Sequence, residues 1–284
     1  MPEENVFTRI TREYYQLTAS EKKLAAFVTA NGQRSQTMSI SELAAACGVA
    51  EATISRFCRR MGYRGYSAFR LAIAAATAGR SSSDPLHGEI QPEDTVPDLC
   101  AKLAGVDSDA IRETQSLIIP ESIIAAANIL TAADKVLCMG QGGSMLMAEE
   151  AAHLFTTAFP GFFAVADSHM QVITASSLTE WDAILFFSYS GSTKDLMDVL
   201  HVARQQHAKS ILVTRYPGSP GAALVDVVLQ CGSIEGPLQL GSVAARIAQL
   251  YLIDVLFSEM CRRDMERCRH QRELVAEALS EKHV

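Results

Sequence analysis

Apolar residues recur every three to four positions through the first 80 residues, a spacing that predicts a bundle of short helices. The stretches Thr18-Ala19-Ser20-Glu21 and Ser39-Ile40-Ser41-Glu42 are capping boxes, and each one predicts the start of a helix. A third helix is predicted from about Glu51 to Met61, with Gly48 ending the helix before it and Gly62 ending this one. The N-terminal part of the chain is therefore predicted to be all-α.

The third predicted helix has one apolar and one polar face. Its residues Ile54, Phe57, Cys58 and Met61 follow the spacing i, i+3, i+4, i+7, so they are expected to pack inward. Two helices joined by a short glycine turn have the arrangement of a helix-turn-helix, whose second helix reads DNA. Hydroxyl and guanidinium groups can reach base edges or phosphates. The residues expected to contact DNA are Thr53, Ser55, Arg56, Arg59, Arg60 and Arg64. The alternative is a solvated basic face on a small helical bundle.

A change of composition separates this region from the rest of the chain. Residues 79–97, "GRSSSDPLHGEIQPEDTVP", are rich in Ser, Pro, Gly and acidic residues and show no apolar period. This predicts a helix-turn-helix domain over 1–79, a linker over 80–105 and a second domain over 106–284.

Short apolar runs then alternate with longer amphipathic segments. The alternation predicts a doubly wound α/β domain, with a five-stranded parallel sheet and helices on both faces. The predicted strands are Val136–Met139, Phe162–Ala166, Ile184–Ser188, Ser210–Thr214 and Val227–Cys231. A helical lead-in is expected over 106–131, before the first strand, and one or two long helices are expected over 242–280, after the last strand.

Two loops rich in glycine and hydroxyl groups follow the first and third predicted strands. They read "GQGGS" (140–144) and "SYSGST" (188–193). Glycine lets a backbone approach a ligand closely, and the N–H groups that open a helix attract phosphate. Because both loops follow parallel strands, they are expected to converge on one crevice at the carboxyl edge of the sheet. The pattern predicts an anion site.

Three other loop motifs do not fit. The dinucleotide-binding motif G-x-G-x-x-G needs a third glycine, and Met145 stands in its place. A Walker A loop needs Lys-Ser or Lys-Thr after a glycine, and neither pair follows a glycine in this sequence. The nucleophile elbow G-x-S-x-G needs a glycine where Ser188 stands. Anion binding is therefore favoured over nucleophilic attack.

Charge separates the two predicted domains. Residues 1–80 hold 11 Lys and Arg against 6 Asp and Glu, whereas the rest of the chain holds 14 against 26. A basic N-terminal region followed by an acidic remainder of the chain indicates that the N-terminal region binds a polyanion. The chain lacks an apolar run of membrane-spanning length and a signal-peptide pattern, so a soluble cytoplasmic protein without a membrane partner is expected. The seven cysteines are scattered without C-x-x-C spacing and are expected to be reduced packing residues.

The stretch "SISELAAACGVAEATISRFCRRMGYRGYSAFR" resembles the N-terminal domain of the RpiR family of bacterial transcriptional regulators. The recognition segment of that family commonly reads G-V-S-x-A-T-[IV]-x-R-F, followed by G-[YF]-x-G-[YF]. Ala50 departs from this pattern, because serine is usual there. The missing N-cap hydroxyl is worth about 0.5–2 kcal/mol of helix stability, and no base-reading side chain is lost.

The pair of loops resembles the SIS (sugar isomerase) domain over about residues 120–260. In that family, G-x-G-x-S and S-x-S-G-x-T elements bind the phosphate and nearby hydroxyls of phosphosugars in a flavodoxin-like fold. The resemblance implies effector contacts from Gly142, Gly143, Ser144, Ser188, Ser190, Gly191, Ser192 and Thr193. Glu235, after the fifth predicted strand, is expected to contact sugar hydroxyls.

Together the two resemblances imply a transcriptional regulator that binds operator DNA, senses a sugar phosphate, forms a homodimer or homotetramer, and has neither a cofactor nor a metal. One alternative is a sugar-phosphate isomerase or lyase with an accessory helical domain. Its acid and base would come from Glu150, His153, His169, Glu180 and Glu235. Another alternative is a phosphosugar-responsive protein whose N-terminal region binds another protein.

Overall fold

The computed structural model describes residues 6–13, 17–78, 90–232 and 242–280. The chain divides into two compact units, with the boundary between Val106 and Asp107. Each unit has its own hydrophobic core.

The described part of the first unit is helical, as predicted. Its helices before residue 79 are α1 Val6–Glu13, α2 Ala19–Ala30, α3 Gly32–Ser35, α4 Ile40–Cys47, α5 Glu51–Arg60 and α6 Tyr66–Ala78. Both predicted capping boxes are formed. The hydroxyls of Thr18 and Ser39 accept hydrogen bonds from the N–H groups of Glu21 and Glu42, and the two carboxylates accept from the cap N–H groups in return.

Helix α5 is anchored by its apolar face. Ile54, Phe57, Cys58 and Met61 are completely buried, which confirms the predicted inward face. The ring of Phe57 packs edge-on against Phe69 of α6 with the centroids 5.6 Å apart. Burial of such a side chain stabilises a fold by about 1.5–3 kcal/mol. This packing fixes the orientation of α5, so its opposite face is directed to solvent.

The second unit contains a parallel sheet of five strands, as predicted. The strands are β1 Lys135–Gly140, β2 Phe162–Ala164, β3 Asp182–Phe187, β4 Lys209–Thr214 and β5 Val227–Gln230, in the order β2-β1-β3-β4-β5. Every neighbouring pair is parallel. This is the strand order of flavodoxin-like folds.

The helices that follow α6 in the described chain are α7 Val96–Leu117, α8 Pro120–Ala132, α9 Gly143–Thr156, α10 Ser168–Ala175, α11 Lys194–Gln205, α12 Val243–Arg263 and α13 Met265–Ser280. Alternate strand residues face different helices. Leu185 and Phe187 of β3 pack in the cluster that contains α8, α9 and α12, whereas Ile184 and Phe186 pack with α10 and α11. The central strand is buried on both faces, which accounts for its continuous apolar run.

Helix α7 begins inside the predicted linker 80–105, so the described part of that segment, 90–105, is largely helical. Thr95 and Asp98 form a reciprocal cap in which the Asp98 carboxylate accepts from the Thr95 N–H at 2.9 Å and the Asp98 N–H donates to the Thr95 hydroxyl at 3.4 Å. Pro97 lies in the first turn, where a missing N–H costs no hydrogen bond. The proline that suggested a linker is thus compatible with a helix start.

Among the described residues, no single helix combines the length and apolar composition of a membrane span; α7 and α8 reach both only when taken together, with a bend of 87° between them.

Candidate functional sites

The two glycine- and hydroxyl-rich loops meet at one edge of the sheet. They follow β1 and β3, which are neighbours, and Gly140 at the end of β1 pairs with Phe187 at the end of β3. The strand order reverses here, because β2 lies on one side of β1 and β3 on the other. This is the position at which open α/β sheets bind ligands. Helices α9 and α11 both begin here, so the positive ends of two helix dipoles lie at this edge.

The first loop opens α9 and is held by a buried glutamine. Gly142 is the N-cap, and Gly143 and the half-buried Ser144 form the first turn. The side-chain amide of Gln171 is completely buried, where it donates to the Gly140 carbonyl at 3.0 Å and accepts from the amide of Gln141 at 2.8 Å. Gln171 was not among the predicted site residues, because nothing in the local sequence links it to a loop 30 residues away.

The second loop depends on Gly191. Its φ is +59°, and a Cβ atom there would lie 2.0 Å from the Ser219 hydroxyl oxygen and 3.1 Å from that of Thr214. The carbonyl of Gly191 accepts a hydrogen bond from the N–H of Gly221 at 2.9 Å. Thr214 fastens the start of the loop as well, since its hydroxyl donates to the Tyr189 carbonyl at 3.0 Å. The loop is therefore packed against the segment after β4, and only glycine fits at its centre.

The hydroxyl groups of this loop differ in their surroundings. Ser188 is 4% exposed, Ser190 is half-buried and accepts from the Ser192 N–H at 3.3 Å, and Ser192 is exposed. Thr193 is the N-cap of α11, but its hydroxyl makes no capping bond. Its Oγ1 is buried and has no hydrogen-bond partner among the described residues. A buried hydroxyl without a partner is costly unless a ligand supplies one.

Lys194 directly follows the predicted site residues and adds a positive charge at the start of α11. Its Nζ lies 2.5 Å from the Asp198 carboxylate, and this contact raises the pKa of Lys194 above its usual value. The side chain is exposed, so it remains a cation close to the loop. The sequence signal was present, since the lysine follows the "SYSGST" element.

The structure separates the candidate acids and bases. Glu180 precedes β3, and His153 lies in the last turn of α9, so both are at the amino edge, away from the two loops. Glu150 is half-buried in the middle of α9. His169 is exposed in the first turn of α10, and Glu235 lies outside the described residues. In the described part of the chain, no three His, Cys, Asp or Glu residues are grouped so that they could hold a metal ion.

The first unit presents a basic surface on α5. Gly48 adopts the left-handed conformation, with φ +63°, and turns the chain from α4 towards α5. Arg56, Arg59 and Arg64 are exposed, and Thr53 and Ser55 are half-buried on either side of the outer face. Arg60 differs from the other three arginines, because its guanidinium lies 3.4 Å from the Glu21 carboxylate of α2.

Comparison with known proteins matches each unit to a family. The model for the helix-turn-helix domain of the rpiR family matches residues 4–80, and the model for the SIS domain matches residues 129–259.

Relatives match most of the chain. An uncharacterized HTH-type transcriptional regulator of Caldanaerobacter subterraneus subsp. tengcongensis is 34% identical over 240 residues, which is 84% of each chain. The HTH-type transcriptional regulator RpiR of Escherichia coli K12 is 28% identical over 251 residues, covering 88% of this chain and 84% of that one. The structure of the Vibrio vulnificus NanR protein complexed with ManNAc-6P is similar with a TM-score of 0.89 and 25% identity, over 99% of this chain and 100% of that chain.

Proposed function

Because the chain belongs to the RpiR family of HTH-type transcriptional regulators, we propose that it binds operator DNA through α5 and a phosphorylated sugar at the loops after β1 and β3. The relatives from Caldanaerobacter subterraneus and Escherichia coli are named as transcriptional regulators, and this chain is a regulator rather than an enzyme. The sugar phosphate acts as an effector that changes the affinity for DNA.

The observation that carries the effector site is the buried hydroxyl of Thr193 at the start of α11, which has no hydrogen-bond partner within the described part of the chain. A phosphate placed there accepts from this hydroxyl and from the N–H groups of the first helical turn, and it is attracted by the positive end of the helix dipole. The start of α9 adds a second set of N–H groups at the same edge. The effector residues in this proposal are Gly142, Gly143, Ser144, Ser188, Ser190, Gly191, Ser192, Thr193 and Glu235.

The comparison with NanR supports a sugar phosphate as the chemical class, because that protein was solved with ManNAc-6P and is similar over nearly the whole chain. The loops supply donors for phosphate oxygens, whereas the half-buried and exposed serines leave hydroxyls for the sugar.

In this proposal the DNA contacts come from α5 and the residue that follows its turn. Bases and phosphates are contacted by Arg56, Arg59, Arg60 and Arg64, and by the half-buried Thr53 and Ser55 beside them. A helix-turn-helix gains specificity when two copies present their recognition helices one turn of DNA apart, about 34–36 Å. We therefore propose at least a homodimer as the DNA-binding form.

The effector site is tested by thermal unfolding of the full-length protein against a panel of sugar phosphates, with the matching free sugars as controls. A ligand at 100 times its Kd adds about 2.7 kcal/mol to stability. The Thr193→Ala variant is expected to bind the hit about 10- to 150-fold more weakly, since a hydrogen bond to a charged group is worth about 1.5–3 kcal/mol.

Ser176→Ala is the matched control. Ser176 is an exposed hydroxyl at the C-terminal end of α10, where it bonds only its own helix, so its removal is expected to leave binding unchanged. Equal binding by the Thr193→Ala and Ser176→Ala variants would remove Thr193 from the site. Turnover of the sugar phosphate by the purified protein would instead favour an isomerase or lyase.

A further inference from the structure

Two cysteines lie side by side where α12 is followed by α13. Cys261 is in the last turn of α12 and Cys268 is in the first turn of α13, on either side of the break at Asp264. Their Sγ atoms are 2.7 Å apart, and both thiols are free. Because a disulfide bond is about 2.0 Å long, the two sulfur atoms need to approach by less than about 1 Å to form one.

The cysteine pair lies where α13 is most deeply buried. Cys268 is the buried residue among those described in this 16-residue helix. Apolar residues farther along, Leu274 and Leu279, are 46% and 47% exposed. Apart from the cysteine pair, Arg272 lies over the Phe257 ring of α12 at 5.8 Å. A covalent bond at this point would therefore change how firmly α13 is held.

A small oxidant has access to the pair. A cavity of about 620 Å³ between α12 and α13 is lined by both cysteines and by Arg262, Arg269 and Arg272. Burial and the neighbouring thiol raise the pKa of Cys261 to about 12, while Arg272 acts in the opposite direction. The Cys261 thiol is therefore protonated at neutral pH, and the Arg272 guanidinium stabilises its thiolate when one forms.

We propose that Cys261 and Cys268 are a redox site, in which a peroxide converts the two thiols to a disulfide that fastens α13 to α12. The sulfur of Cys261, the more accessible of the two, loses its proton and attacks one peroxide oxygen. The O–O bond breaks, and the departing hydroxide takes up that proton, giving a sulfenic acid and one water when the peroxide is hydrogen peroxide. The sulfur of Cys268 then attacks the Cys261 sulfur; the S–S bond forms, the S–O bond breaks, and the thiol proton leaves with the hydroxyl as a second water. The two sulfur atoms lose two electrons, and the peroxide is reduced. A thiol reductant reverses the reaction.

The test treats the full-length protein with hydrogen peroxide, blocks the remaining thiols, and digests it without reduction by a protease that cleaves after glutamate. Cleavage at Glu259, Glu266 and Glu273 separates the cysteines into fragments 260–266 and 267–273. The expected product is these two fragments joined by a disulfide, recovered from the monomer band of a non-reducing gel and lost after reduction. Slower amide hydrogen exchange over 269–280 in the oxidised protein is the second expected result.

The Cys261→Ser variant is expected to lose the joined fragments, and the Cys100→Ser variant, which removes an exposed cysteine in α7, is expected to keep them. A Cys261→Ala variant is a second form of the same test, so that a folding defect of one substitution does not decide the result. Free fragments after treatment, or joined fragments recovered only from a dimer band, would overturn the intrachain pair. A closed disulfide with unchanged exchange over 269–280 would overturn the proposed fastening of α13.

Discussion

At the scale of single residues, backbone conformation and packing both require glycine at position 191. Gly191→Ala places a Cβ atom against Ser219 in a backbone with φ +59°, so the loop has to move. We expect the free energy of unfolding to fall by about 1–3 kcal/mol and sugar-phosphate binding to weaken. Chemical denaturation and effector titration measure the two effects.

The Gly48→Ala variant tests backbone strain without the steric overlap that Gly191→Ala adds. Gly48 has a similar φ of +63°, but nothing lies within 4 Å of a Cβ added there. This variant is expected to lose less stability and to bind the sugar phosphate normally. Equal losses in the two variants would mean that the contact with Ser219 is unimportant.

Arg56 and Arg60 have the same side chain but different surroundings. Arg56 is exposed on the outer face of α5, whereas Arg60 pairs with Glu21. Arg56→Ala is therefore expected to weaken binding to the preferred DNA site by about 1–3 kcal/mol. Arg60→Ala is expected to weaken it less and to lower stability by up to about 1 kcal/mol. The DNA site is first selected from a random duplex pool. Its affinity for each variant is then measured by titration, and the stability of each variant is measured by thermal unfolding. A larger loss of DNA affinity in Arg60→Ala than in Arg56→Ala would contradict this prediction.

At the scale of elements, α5 lacks the cap that α2 and α4 have. Ala50 already has the extended backbone of an N-cap, with φ −76° and ψ 148°, but no side-chain hydrogen bond caps the helix. Ala50→Ser is expected to raise the free energy of unfolding of the first unit by about 0.5–2 kcal/mol, measured by urea denaturation. Ala52→Ser, the same change in the first turn but not at the N-cap, is expected to change it by less than about 0.5 kcal/mol. A loss of stability in both variants would contradict the capping argument.

The helix starts also show how far the sequence can predict this structure. The boxes at Thr18 and Ser39 are readable because each cap bonds a residue three positions away. The start of α7 uses the same chemistry at Thr95, but Pro97 and the surrounding Ser- and Pro-rich composition favoured a linker. Gln171 was missed for another reason: its contact with Gly140 joins residues 31 positions apart, and only the order of the strands brings them together.

At the scale of the whole molecule, one unit is proposed to bind DNA and the other a sugar phosphate, so the function depends on a coupling free energy between them. If the effector changes DNA affinity by a given factor, DNA must change effector affinity by the same factor. Couplings of about 1–3 kcal/mol correspond to about 5- to 150-fold. We expect effector titrations with and without saturating DNA to give a ratio of Kd values equal to the ratio from DNA titrations with and without effector. The Thr193→Ala variant should keep DNA affinity in the absence of effector and lose the response to it. Unequal ratios in the wild-type protein would show that another equilibrium, such as assembly, takes part in the response.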